Sequence, residues 1–334
     1  MNIIGENALI AEIAGNFRTV DEAVKLSIAA IENGAESIKL QTYDPEKLTS
    51  KQAIFDMPNT GVKNQYEVFR ESMTDYGMQR EIIKELTARK ILIFSTPSHP
   101  DDVEFLETCG VRRYKIGSDD CSNHKLIASA GETGKPVIIS TGMATITEVE
   151  ITANFCERNN IKYALMLCTT NYPCQLEQLN LKTIHTYLDV FRDIQIGFSD
   201  HYPGMIASIV AASLGSSFFE KHVMLDDVIY GYDAVVSMKT SEIGEYLKNL
   251  KDVKDALGSS LKLMSKEELI NRNNNRKSMF FTRNVKIGEK LEESLLIALR
   301  PGTGISPSEQ EQMLGRKLKV NVRAGDMVKW TDLE

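Results

Sequence analysis

The chain is poor in several features that mark whole classes of protein. Its 334 residues include only five cysteines and one tryptophan. The cysteines, at 109, 121, 156, 168 and 174, form no C-x-x-C pair, which argues against a structural zinc site. The opening MNIIGENALIAEI has no basic stretch followed by a long apolar core. With an odd cysteine count, this predicts reduced thiols and a cytoplasmic protein. No run approaches the ~18 uninterrupted apolar residues that would span a bilayer, so no membrane association is expected. Positive charge is also scarce: 39 Lys and Arg stand against 46 Asp and Glu, for a net charge of −7. No basic stripe suits a nucleic acid. A local cluster of lysines can still hold an anionic small molecule inside an acidic protein.

What is present is ordinary globular composition, 42% hydrophobic and 25% charged, arranged as a repeated alternation. Apolar runs at 8–13, 36–43, 91–97, 112–118, 135–142, 162–170, 193–200 and 216–223 read as strands. Helical patterns lie between and after them, at 21–34, 64–73, 79–89, 101–110, 124–132, 146–158, 181–191, 204–214 and 241–257. Continuous apolar strands, each followed by a helix, indicate parallel pairing buried on both faces. Eight such units over 1–258 predict a closed (β/α)₈ barrel of the TIM type. The alternative, an open doubly wound sheet, would usually carry a glycine-rich first turn, whereas strand one ends in Glu-Ile-Ala-Gly-Asn. Beyond Gly258 the pattern changes: 259–278 is polar and asparagine-rich, and reads as a linker arm. Residues 279–334 read as a small, mostly β domain with a thin core.

In a barrel of this kind, chemistry gathers where strands end. Every predicted strand end carries polar groups: Glu12; Lys39 and Gln41; Ser95 and Thr96; Lys115, Ser118 and Asp120; Ser140 and Thr141; Cys168 to Tyr172; Ser199, Asp200 and His201; Glu220 and His222. Buried charge is costly unless it is paired or used, so the set points to a site. His201 and His222 end adjacent strands and could share a divalent ion such as Mn²⁺, Mg²⁺ or Zn²⁺. Lys39 and Lys115, with Thr96, Ser118 and Ser199, suit a phosphate and carboxylate cradle, although a Schiff-base lysine is the other reading. Glu12 is placed for proton transfer or for binding a sugar hydroxyl, and Glu220 for orienting a ligand or a metal-bound water. The turn STGMAT (140–145) before a helix is favourable to anions.

Taken in order, AEI (11–13), KLQTY (39–43), FSTP (94–97), YKIGS (114–118), STGMAT (140–145), CTTNYP (168–173), GFSDH (197–201), FFEKH (218–222) and RPGTGISP (300–307) resemble the sialic acid synthase family. That resemblance implies a TIM barrel followed by an antifreeze-like (SAF) domain at 279–334. It implies a metal-dependent synthase that condenses phosphoenolpyruvate and water with an N-acetylmannosamine-type amino-sugar aldehyde. The products are a nine-carbon nonulosonic acid and phosphate. A legionaminic or pseudaminic acid synthase using a 6-deoxy-diacetamido-hexose is the alternative, and a non-catalytic carbohydrate-binding relative is the rival outside enzymology. The resemblance assigns His201 and His222 to a metal, Mn²⁺ first. It assigns Lys39, Thr96, Lys115, Ser118 and Ser199 to phosphoenolpyruvate, and Glu12, Gln41, Tyr172 and Asp233 to the sugar and reaction centre. Arg300 is assigned to the sugar of the partner subunit in a domain-swapped homodimer. The chain departs from the family at Phe17, where a histidine is usual, and at Asp120, where glutamate is common.

Overall fold

The computed structural model describes residues 3–334 and divides the chain into two compact units, the first ending at Gly258 and the second spanning Ser259–Glu334. In the first unit the strands are β1 (Ala8–Glu12), β2 (Ser37–Thr42), β3 (Ile54–Met57), β4 (Gly61–Asn64), β5 (Ile93–Pro97) and β6 (Tyr114–Ile116). They continue with β7 (Val137–Ser140), β8 (Tyr163–Cys168), β9 (Ile196–Asp200), β10 (Phe218–Met224) and β11 (Met238–Lys239). Parallel pairing runs β1-β2-β5-β6-β7-β8-β9-β10, and β10 pairs back onto β1. The ring is thus a closed eight-stranded barrel with its helices outside, as the alternation predicted.

The period of two along each strand divides the core into two faces. Leu9, Ala11, Ile38, Leu40, Ile139, Leu165, Phe198 and Phe219 face outward into one large cluster with the helices. Ile10, Phe94, Ile138, Ala164, Met166 and Phe218 fill the barrel interior together with Ile4. The next inward positions along the strands are Glu12, Lys39, Thr96, Lys115, Ser140, Cys168, Ser199 and Glu220. An apolar plug therefore lies under a polar layer at the C-terminal mouth.

Two elements were not anticipated. β3 and β4 form an antiparallel hairpin between β2 and the helix Gln65–Ser72. In the segment read as an arm, Lys266–Asn275 is a helix whose N-cap Ser265 accepts from Glu268 N while the Glu268 carboxylate accepts from Ser265 N. That reciprocal cap offsets a sequence with no apolar face. The second unit otherwise rests on an antiparallel pair, β12 (Ser278–Phe281) and β13 (Leu296–Leu299), with isolated bridges around a core that includes Met279, Phe281, Leu291, Met313 and Val328. Among the described residues no helix is long and apolar enough to cross a membrane.

Candidate active site

Alternation sorts the polar strand ends. Ser95, Thr141 and Asp200 point outward. Ser95 bonds with Thr42, which also donates to Gln79; Thr141 accepts from Tyr187; Asp200 accepts from Ser208 and pairs with Lys221. These groups are structural ties between sheet and helices. The inward set converges on a cavity of about 710 Å³ lined by Lys39, Gln41, Thr96, Lys115, Ser118, Tyr172, Ser199, His201, Glu220, His222 and Asp233. Glu12, 1% exposed, lies just behind that wall, in an ion pair with Lys39.

The floor is a charge network. Lys39 and Lys115 are 4% and 3% exposed, and Glu220 lies between them, 3.8 Å from Lys39 Nζ and 3.7 Å from Lys115 Nζ. Lys39 also donates to Thr96 Oγ1 (3.0 Å), Lys115 to Ser140 Oγ (2.6 Å), and Ser199 to Glu220 Oε1 (3.1 Å). Burial pushes Glu220 up, but the two ammonium groups overcome it and hold the carboxyl below the usual glutamate range. Burial lowers Lys115, and Glu220 offsets only part of that. Burial lowers Lys39 too, but Glu12 and Glu220 more than compensate. Glu12 is pushed up by its burial despite Lys39. Beside Lys115, Gly142 N donates to Ser118 Oγ, and a Cβ at Gly142 would stand 2.3 Å from Thr170 Oγ1, so only glycine keeps this corner open.

The imidazoles meet beside this network, His222 standing two residues beyond Glu220 on β10. The ring centroids of His201 and His222 are 5.8 Å apart. Thr169 O can only accept, so at 2.9 Å it fixes the proton of His201 on Nδ1. Nε2 faces the Tyr172 hydroxyl at 3.0 Å. Burial lowers His201, but Cys168 and the Thr169 carbonyl more than compensate, so its pKa is raised and a metal ion there would have to displace the Nε2 proton. Burial drops His222 to about 4 and keeps it neutral. Its Nδ1 is buried without a hydrogen bond, with Asp233 Oδ2 4.0 Å away. Nitrogen–metal bonds of about 2.0–2.1 Å put two imidazoles on one ion with centroids roughly 5–6 Å apart. The pair therefore fits a shared cation. Among the described residues no third His, Cys, Asp or Glu completes a cage. Such an ion would take its remaining ligands from water or substrate.

Asp233 follows Gly231 and Tyr232 in a segment that lines the cavity. The hairpin tip reaches it: Asn59 Nδ2 donates to Tyr232 O (3.3 Å) and Asp233 Oδ1 (3.5 Å), and Lys63 donates to the Tyr232 hydroxyl (2.8 Å). The sequence reading passed over the hairpin wall, and it placed Cys168 at a strand end without giving the thiol a role. Burial raises that thiol, but His201, Ser118 and Lys115 bring it down to about 7. Arg300 belongs to the second unit, where it is exposed and donates to Asn275 Oδ1 (3.2 Å). Phe17 is 4% exposed and packs into the apolar core, so the departure there removes nothing from the cavity wall.

Fold and site together define a (β/α)₈ barrel with a charged, two-histidine mouth, followed by a small SAF domain. The chain belongs to the NeuB family, whose model matches residues 27–262, while a SAF domain model matches 276–334. It is 31% identical to the pseudaminic acid synthase of Campylobacter jejuni, over 98% of this chain and 96% of that one. It is 32% identical to the N,N'-diacetyllegionaminic acid synthase of Legionella pneumophila, over 98% of this chain and 94% of that one. The crystal structure of N-acetylneuraminic acid (sialic acid) synthetase from Leptospira borgpetersenii shares the fold, with a TM-score of 0.70 at 24% identity, covering 80% of this chain and 92% of that one.

Proposed function

We propose that the protein condenses phosphoenolpyruvate with the open-chain aldehyde of an N-acetylmannosamine-type amino sugar, consuming water and releasing phosphate. The product is a nine-carbon nonulosonic acid. The names of the relatives favour the same reaction on 6-deoxy-diacetamido-hexoses equally well. The observation that carries this reading is the floor network: two buried ammonium groups share one carboxylate beside two imidazoles. Few ligands other than a small, multiply charged anion would make that arrangement useful.

Lys39 and Lys115 bind the phosphate and carboxylate, with Thr96, Ser118, Ser140 and Ser199 as hydroxyl partners. Holding the enol over the aldehyde turns a two-body encounter into an oriented one. C3 of the enol forms the new bond to C1 of the sugar, and the aldehyde oxygen takes a proton to become a hydroxyl. Positive charge develops at C2, where water adds and loses a proton. Cleavage of the C2–O bond then leaves a ketone and inorganic phosphate. Glu12, a carboxyl with a raised pKa beside Lys39, is the group assigned to move the proton of that water, and Glu220 orients both lysines. A divalent ion held by His201 and His222, Mn²⁺ first and Mg²⁺ second, would polarise the aldehyde oxygen as a Lewis acid. Gln41, Tyr172 and Asp233 line the sugar side. In a domain-swapped homodimer the partner subunit's Arg300 would meet the acyl-amino group. Reduced thiols throughout the described residues fit a cytoplasmic setting.

Phosphate release from phosphoenolpyruvate, with each candidate sugar and with or without Mn²⁺ after chelation, tests the proposal. His222→Ala is expected to lower kcat at least 100-fold in a folded protein, and borohydride is expected to trap no adduct on Lys115. Undiminished turnover in His222→Ala removes the metal assignment, and silence with every sugar removes the reaction.

A further inference from the structure

We infer that the Asp200–Lys221 ion pair, which faces the helices rather than the cavity, positions His201 against His222 and thereby sets how tightly the mouth holds a divalent ion. The role rests on the metal proposed above and adds two residues to what holds it.

The two imidazoles are not anchored alike. His222 lies inside β10, where the ladder to β1 pairs it with Glu12. His201 stands one residue beyond the end of β9, so no ladder fixes it. The ion pair sits at that strand end. Asp200 and Lys221 are register partners on β9 and β10, with Lys221 Nζ 3.1 Å from Asp200 Oδ2. Their side chains are 0% and 1% exposed, so this is not a surface bridge that water could screen.

What the pair holds is backbone. Tyr202 N donates to Asp200 Oδ1 at 2.8 Å, and Lys221 Nζ donates to Tyr202 O at 2.6 Å. Both main-chain polar groups of the residue after His201 thus end on one ion pair. The carbonyl of His201 itself accepts from Cys174 N at 3.1 Å. Asp200 is fixed from behind in turn: Ser208 donates to its Oδ2 at 2.7 Å, and Tyr246 donates to Ser208 at 2.8 Å. That chain of bonds reaches the helices Ile206–Ser213 and Ile243–Leu257.

Fold stability alone does not explain the pair. One pleat earlier on the same outward faces stand Phe198 and Phe219, buried in the main core. Apolar side chains therefore suit this layer, and replacing a buried ion pair by apolar groups of similar size is often neutral or stabilising. Apolar groups could not bind the N–H and C=O of residue 202, which fix the turn that carries His201. Groups that orient metal ligands from behind are worth about 10–100-fold in metal affinity.

The test titrates the purified protein with Mn²⁺, reading the free ion by electron paramagnetic resonance, and takes melting temperatures on the same samples. Lys221→Met keeps the packed stem and removes the ammonium. It is expected to weaken Mn²⁺ binding by about tenfold or more and to lower the melting temperature, because Asp200 is left uncompensated. Adding Asp200→Asn restores neutrality at nearly the same shape. The double variant is expected to recover most of the melting temperature but not the Mn²⁺ affinity, since Tyr202 O stays unheld. Phosphoenolpyruvate binding, measured by calorimetry in metal-free buffer, is expected to change little, because Ser199 and Glu220 lie within the β9–β10 ladder. If Lys221→Met does not fold, Ser208→Ala is read in the same way, with a loss of about threefold in Mn²⁺ affinity, the worth of one hydrogen bond. Mn²⁺ affinity that is never lost, that returns with the melting temperature, or that falls together with phosphoenolpyruvate affinity overturns the positioning role while the metal assignment stands. No Mn²⁺ binding by the unaltered protein overturns the metal assignment and the positioning role with it.

Discussion

Asp120 follows the strand that delivers Lys115, and among the described residues no cation offsets its charge. Its carboxyl is pushed up to about 6 by burial, reinforced by Asp119 and Asp102, in spite of a 2.8 Å hydrogen bond from Asn123. The folded value lies above the unfolded one of about 3.9, so the folded state gives up the proton later than the unfolded chain. Its contribution to stability is thus complete below about pH 4 and lost as the pH rises through about 6. Asp120→Asn preserves the shape and removes the penalty. It is expected to stabilise the fold at pH 7.5 by on the order of 1 kcal/mol after allowing for partial exposure, seen as a higher melting temperature, and to change little at pH 4. Paired thermal scans at the two pH values check this, and an unchanged or lower melting point at pH 7.5 counts against it. At this scale the site was largely legible. Residues two apart share a face of a strand, so Lys39 with Gln41, and Glu220 with His222, could be placed together from sequence. The same rule explains why Asp200 and Thr141, though equally polar, face the helices: each is one position off the inward register.

The elements that escaped the sequence reading share a cause. β3 and β4, IFDM and GVKN, are four residues each, and the polar ones among them break any apolar run. The helix Lys266–Asn275 has no buried residue, so hydrophobic periodicity had nothing to report, and only the S-x-x-E cap signalled it. Short elements on the surface are fixed by caps and tertiary ties rather than by burial. The loop opposite the hairpin shows the consequence. Gly231 has φ +63°, and a Cβ there would sit 2.8 Å from the carbonyl oxygen of Gly15. That backbone atom cannot rotate away, so Gly231→Ala must displace the loop that carries Asp233. The expected result is a rise of roughly tenfold in sugar KM, with the KM for phosphoenolpyruvate and the melting temperature nearly unchanged, because the barrel core lies elsewhere. Steady-state kinetics in both substrates decide it. Equal effects on both KM values would mean that the loop shapes the whole mouth.

The whole molecule is a barrel and a small β unit, each with its own core. The barrel was readable because eight buried strands repeat one pattern. The small unit was readable only in outline, since most of its pairing is isolated bridges rather than strands. The proposed exchange of Arg300 between subunits has a direct test. Arg300→Ala is expected to raise sugar KM, and His222→Ala to remove turnover. If each site draws Arg300 from the partner, dissociating and reassociating an equal mixture creates some sites free of both lesions, about a quarter for random pairing. Activity at low sugar should then exceed the average of the two variants. Activity that stays at the average means that each chain supplies its own arginine.

The ammonium groups of Lys39 and Lys115 and the carboxyl groups of Glu12 and Glu220 are almost wholly buried and compensate one another in part. Deleting any one strands an uncompensated partner, a loss of several kcal/mol in fold stability before catalysis is even considered. Descendants that abandoned the chemistry would therefore drift slowly at these four positions and shed them together. A lineage caught with only one replaced should carry a second change nearby that restores neutrality.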